Sequence, residues 1–119
     1  MEQNLLKSFQ KDKLTMRAYV NRTEMGKAAA ADIAACMEKL LAEKETLNMV
    51  FAAAPSQNDV LECLMAMPLP WNRVNAFHMD EYEGLSKDHP QSFGHYLDEH
   101  VFKKVPFKNV YYVADYQEA

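Results

Sequence analysis

The sequence predicts an α/β protein with a parallel sheet flanked by helices, and three observations carry that expectation. Apolar residues recur with a period that switches between about 3.6 and about 2 along the chain, as alternating helices and strands require. Leu47 to Ala54 is an apolar run broken only by Asn48, which is the pattern of a strand buried on both faces of a parallel sheet. Helix-length segments separate the strand-like runs, so the units read as βαβ with right-handed crossovers.

Taken in order, the chain opens with a short helix expected near residues 3 to 11. Leu14 to Val20 alternates as an edge strand or hairpin arm would. From Thr23 to about Lys44, Met25, Ala29, Ile33, Cys36, Met37, Leu40 and Leu41 fall on one stripe, with Lys27, Asp32, Glu38 and Glu43 elsewhere, which predicts a long amphipathic helix. After the strand at Leu47 to Ala54, Ser56, Asn58 and Asp59 offer capping side chains to a helix. Val60, Leu61, Leu64, Met65 and Met67 form its apolar face, and Pro68 and Pro70 end it. Val74 to Met79 predicts a strand, Asp80 to Asp88 a polar turn, and Pro90 the first turn of a helix reaching about Lys104. Asn109 to Val113 predicts a last strand. The result is a Rossmann-like sheet whose ligand chemistry belongs at the carboxyl ends of its strands. The pattern of elements ends early for a doubly wound domain, as a truncated one would.

With 119 residues, 49% of them hydrophobic, the chain reads as a single α/β domain over 1–119, near the lower end of what buries a sizeable core. A net charge of -4 with no basic tract argues against a nucleic-acid partner. No apolar run approaches the roughly 20 residues of a membrane span, and the start Met1-Glu2-Gln3-Asn4 lacks a signal-peptide pattern, which makes the cytoplasm the expected location. Cys36 and Cys63 have no CxxC or histidine spacing around them and are expected to be buried free thiols. The four histidines, His78, His89, His95 and His100, show no ligand-cluster spacing, so no metal site is expected. His78 is expected to pack or to support the site, His89 to belong to the loop-to-helix cap, and His95 and His100 to be solvated or partly buried.

Chemistry concentrates at two strand ends. Asp80 and Glu81 sit where a buried strand runs out, so one carboxylate can face the cleft above the sheet while Tyr82 closes over it. An aspartate held there can act as a general base, or the two acids can simply cap a loop. At the other strand end, Ala53-Ala54-Pro55-Ser56 leads into a helix, where Ser56 can donate its hydroxyl and a main-chain N–H to an anion or merely cap the helix.

The run from Met79 to Leu85 (MDEYEGL), followed by KDHPQSF from Lys87 to Phe93, resembles the signature of the glucosamine-6-phosphate and galactosamine-6-phosphate isomerase/deaminase family, which is related to the 6-phosphogluconolactonases. The resemblance covers nearly the whole chain as the N-terminal half of such a domain. It implies that Asp80 is the base moving a proton between C2 and C1 of the ring-opened sugar, with Glu81 and Tyr82 in supporting positions. Tyr82 resembles the deaminase branch, since the lactonases carry a DER-type sequence there. The resemblance also places Ala53, Ala54 and Ser56 at the family's phosphate loop. That loop departs from the family's glycine-rich pattern, because alanines and Pro55 stand where glycines allow close approach of the anion. The sequence contains no segment like the family's DGHIAFNEP, to which the resemblance assigns the ring-opening histidine.

The implied function is thus amino-sugar phosphate isomerisation and deamination, with no cofactor, a small sugar phosphate as ligand, and self-association as a homo-oligomer. A non-catalytic sugar-phosphate sensing module and a lactonase-like hydrolase are the alternatives.

Overall fold

A computed structural model of the chain describes residues 5–86 and 88–116. Met1 to Asn4, Lys87 and Gln117 to Ala119 lie outside the described residues, and with them the start of the helix expected at 3 to 11 and one position of the KDHPQSF run.

The chain opens with β1 (Leu5–Lys11) and β2 (Leu14–Tyr19), an antiparallel hairpin, not with a helix. Leu5, Leu6 and Phe9 mimic one helical face, but Asp12-Lys13 forms a two-residue turn with Lys11 opposite Leu14. Asp12 takes φ 53, a left-handed conformation that aspartate tolerates and that tight hairpins require. Arg17 pairs with Asp32 and fastens the hairpin to the helix that follows. That helix, α1 (Arg22–Leu41), starts at Asn21, whose side chain accepts from the Glu24 N–H at 2.9 Å.

Three parallel strands, β3 (Leu47–Phe51), β4 (Val74–His78) and β5 (Asn109–Tyr111), lie side by side in sequence order. Between them run α2 (Asn58–Met65) and α3 (Phe93–Leu97), the latter continuing as a π-helical turn over Asp98–Phe102. The α/β class and the parallel sheet are therefore as the sequence predicts. Core residues Leu47, Phe51, Val74 and Ala76 on the strands meet Ala30, Met37, Leu41, Leu61, Leu64, Leu97 and Val101 on the helices. Apolar burial on that face is the main stabilising term.

The opposite face of the sheet is open. Asn48, Asn75 and Asn109 share one register row, joined by side-chain hydrogen bonds of 3.0 Å each. Val50, Phe77 and Tyr111 form the next row, with Phe77 and Tyr111 stacked at 4.9 Å and Val50 66% exposed. The apolar run around β3 therefore marks a strand buried on one face only, a correction to the two-faced burial its composition suggests. Cys36 is likewise exposed and Cys63 only half-buried, so neither is the buried thiol expected from the stripe on α1 and α2. Helix α3 begins after Ser92, whose hydroxyl accepts from the His95 N–H at 2.9 Å, and not at Pro90.

Gly26 lets α1 and α2 touch. A Cβ there would lie 2.9 Å from Asp59 Cβ and 3.0 Å from the Asp59 carbonyl carbon, a backbone atom that cannot swing away. Gly26→Ala gains up to about 1 kcal/mol of helix propensity and incurs roughly 1–3 kcal/mol of overpacking. A net loss of about 1 kcal/mol is expected as a lower denaturant midpoint; an unchanged or higher midpoint would show that the helices can separate freely.

Candidate functional site at the rim of β3 and β4

Because β3 and β4 are parallel neighbours, with Phe51 opposite His78, their carboxyl ends open on one rim. The Met79 N–H still donates to the Phe51 carbonyl at 3.0 Å, so the pairing continues one residue beyond β4 before the chain departs. Asp80 follows and is exposed, and across the rim Ala53 and Ala54 are half-buried and Ser56 is exposed. The structure thus brings Asp80 and the Ala53–Ser56 segment to the same edge of the sheet.

The Ala53–Ser56 segment is held by its carbonyls. Gln57 Nε2 donates to the Ala52 carbonyl, Tyr96 Oη to the Ala54 carbonyl at 2.9 Å, and Arg22 Nη2 to the carbonyls of Pro55 and Ser56 at 3.5 and 3.3 Å. In trans peptides the N–H points opposite the preceding C=O. The N–H groups of Ala53 and Ser56 are therefore turned away from Gln57 and Arg22, in a segment without glycine. Ser56 lies in a 3-10 turn (Pro55–Gln57) and caps no helix; Asn58 and Asp59 also cap nothing and instead bind Tyr96 Oη and Arg22. Arg22 is the residue the sequence reading misses. Its signal was present: a cation in the first turn of a helix opposes the dipole there and calls for an anionic partner, which Asp59 supplies at 2.6 Å.

Glu81 behaves differently from Asp80. Its side chain is buried, and its two oxygens accept the N–H groups of Tyr82, Phe93 and Gly94, each at 2.9 Å. Burial alone would push the carboxyl up, but the N–H groups of Gly94, Phe93 and Tyr82, with His78 beyond them, hold it below the usual carboxylate value. A carboxyl depressed by folding contributes stability that is present above its unfolded value of about 4.3 and is lost as pH falls through the lower folded value. The denaturant midpoint is therefore expected to fall on the acid side of pH 4.3, by less in Glu81→Gln than in the native chain; equal acid sensitivity in both would remove Glu81 from this role.

Tyr82 packs on Phe93 with ring centroids 4.7 Å apart and is half exposed. Together with Leu85 and Gln91 it borders an open depression of about 580 Å3, within the range of small-ligand sites. A second depression, of about 460 Å3, lies between α2 and the π-helical turn, lined by Asn58, Glu62, Met65, Ala66, His100 and Lys104. None of Asp80, Glu81, Tyr82 and Ser56 borders it. His78 is buried; the ring nitrogen Nδ1 of His89 accepts from the Gln91 N–H, His95 faces Glu99 at 3.1 Å, and His100 stacks on Tyr96. Among the described residues no three His, Cys, Asp or Glu side chains are grouped to hold a metal ion. No helix among them is long and apolar enough to cross a membrane.

No family model matches the chain. It is 31% identical over 87 residues to glucosamine-6-phosphate deaminase of Staphylococcus aureus, covering 70% of this chain and 34% of that protein. The 6-phosphogluconolactonase of Thermotoga maritima superposes with a TM-score of 0.69 at 33% identity, over 78% of this chain and 43% of that one. The chain belongs to the superfamily of glucosamine-6-phosphate deaminases and 6-phosphogluconolactonases. The superfamily's deaminase of Lactobacillus delbrueckii subsp. bulgaricus is 29% identical over 91 residues, covering 76% of this chain and 37% of that protein. A monomeric glucosamine-6-phosphate deaminase shares the fold, with a TM-score of 0.65 at 20% identity over 77% of this chain and 39% of that one. This chain spans about a third of the length of the curated relatives it matches.

Proposed function

We propose that the chain supplies the phosphate-side loop and the proton-transfer base of an amino-sugar phosphate isomerase/deaminase. The observation that carries this reading is the position of Asp80, in an MDEY sequence at the end of β4, beside the Ala53–Ser56 segment at the end of β3. Phosphate lies against the N–H groups of Ala53 and Ser56 and the Ser56 hydroxyl, at the side where α2 begins and its dipole favours an anion. Asp80 takes a proton from C2 of ring-opened glucosamine 6-phosphate and returns it to C1; with one water consumed, the products are fructose 6-phosphate and ammonia. Ring opening needs a group that residues 1–119 do not supply, and the chemistry needs no cofactor. The protein works on a small metabolite of the cytoplasm, with neither nucleic acid nor membrane as partner.

The likeness to the Thermotoga maritima enzyme favours a second reading, a lactonase-like hydrolase of the same rim. Tyr82, where the lactonase resemblance calls for a DER-type sequence, favours the first. Equilibrium titration separates them. The first reading predicts millimolar binding of glucosamine 6-phosphate that is several-fold tighter than that of 6-phosphogluconate or inorganic phosphate. Preference for 6-phosphogluconate would transfer the assignment to the hydrolase, and phosphate binding as well as either sugar would leave only an anion site.

A further inference from the structure

The four bonds made by Glu81 and His78 do more than fill a loop. The Val113 N–H donates to His78 Nδ1 at 3.2 Å, which leaves the ring's proton on Nε2. Nε2 is buried with no hydrogen-bond partner and lies 3.8 Å from Glu81 Oε2. Glu81 in turn accepts from the first turn of α3 at Phe93 and Gly94. One turn further along α3, the O–H of Tyr96 donates to the Ala54 carbonyl, with the Asn58 side chain also hydrogen-bonded at the phenol oxygen. The recess beside His78, lined also by Phe77, Tyr111, Tyr112 and Val113, is only about 140 Å3, below the roughly 300 Å3 at which small-ligand sites begin. A bound sugar is therefore not what these buried groups serve.

We infer that Glu81, backed by His78, is the positioning residue of the rim: it clamps the segment after β4 onto the first turn of α3 and so sets Asp80 at a fixed place relative to the Ala53–Ser56 segment. Helix α3 is the shared platform, gripping one segment through Glu81 and the other through Tyr96. The carboxylate is suited to this because it alone offers two acceptor oxygens to N–H groups that approach from both its own loop and the helix. The titratable groups around the clamp are His78 on β4, Tyr112 beyond β5, whose ring meets that of His78 at 6.3 Å, and Asp98 on the π-helical turn, which accepts from Tyr112 Oη.

The consequence for catalysis rests on the reading of Asp80 as the base, but the clamp itself is measured without ligand. Glu81→Gln keeps the size and loses one acceptor oxygen. In the full chain it is expected to raise amide hydrogen exchange at Phe93 and Gly94 about tenfold or more and to shift the amide resonances of residues 79–82, with the amides of β3 and β4 unmoved. In the native chain the protection of Phe93 and Gly94 falls as acid protonates Glu81, and in Glu81→Gln it is flat over the same range. Tyr96→Phe is the control: it removes the O–H that holds the Ala54 carbonyl and shifts the amides of the Ala53–Ser56 segment but leaves residues 79–82 in place. The inference is overturned if Glu81→Gln leaves Phe93 and Gly94 as protected as before, if Tyr96→Phe shifts residues 79–82 equally, or if Glu81→Gln loosens β3 and β4 as much as the loop. An intact clamp with no response to glucosamine 6-phosphate overturns the proposed function and not this inference.

Discussion

Asp80→Asn is expected to lower kcat by about 10²–10⁴ in any form of this protein long enough to turn over glucosamine 6-phosphate, with KM little changed. The asparagine has the size of the aspartate but cannot take the C2 proton. Its lost negative charge removes a repulsion from the phosphate, so binding does not suffer. Asp80 is exposed beside the rim while Glu81 is buried and bonded to three N–H groups. The two neighbouring acids therefore divide into one that is free to meet substrate and one that is not. Residues 1–119 alone are expected to release no ammonia, because they contain nothing resembling the segment linked to ring opening. Ammonia release by these residues, abolished in Asp80→Asn, would contradict that expectation, and full turnover by Asp80→Asn would contradict the assignment of the base.

The second large effect is association. The open face of the sheet presents Val50, Phe77 and Tyr111 beside an uncharged asparagine row, and the hairpin adds Leu6 and Leu14, exposed by 68% and 59%. Apolar surface of this kind is covered in stable proteins, and a neutral face suits a second copy of itself. The 119-residue chain is expected to sediment as a dimer or larger species at micromolar concentration. Val50→Lys and Phe77→Lys should each weaken association by roughly tenfold or more, the equivalent of about 1.5–3 kcal/mol for each apolar side chain. A monodisperse monomer with little binding of an apolar dye would refute this.

Some of this architecture was legible in the sequence, and the physical reason is periodicity. The α1 stripe and the β3 and β4 runs are long enough for period to decide between helix and strand. Leu5 to Lys11 is not: seven residues with apolar groups at Leu5, Leu6 and Phe9 fit either, and the decision lies in the Asp12-Lys13 turn. Burial on one face or two was also out of reach. Val50 reads as core from its neighbours, yet the Asn48, Asn75 and Asn109 side chains show that β3 presents a polar row to the outside. At the candidate site, the local sequence places Asp80, Glu81 and Tyr82 after one strand and Ser56 after another but does not distinguish the exposed acid from the buried one. That distinction depends on Phe93 and Gly94, twelve and thirteen residues away from Glu81. Arg22 is thirty-four residues from Ser56 and meets it only because Gly26 allows α1 and α2 to approach.

Amide resonances recorded during titration of the chain with glucosamine 6-phosphate show whether one rim holds both ends of a sugar phosphate. The amides of Ala53 and Ser56 and those of residues 80–82 are expected to shift together along one millimolar binding curve, with the β1–β2 hairpin unmoved. Shifts at only one of the two segments, at the hairpin instead, or at neither segment up to millimolar concentration would contradict it.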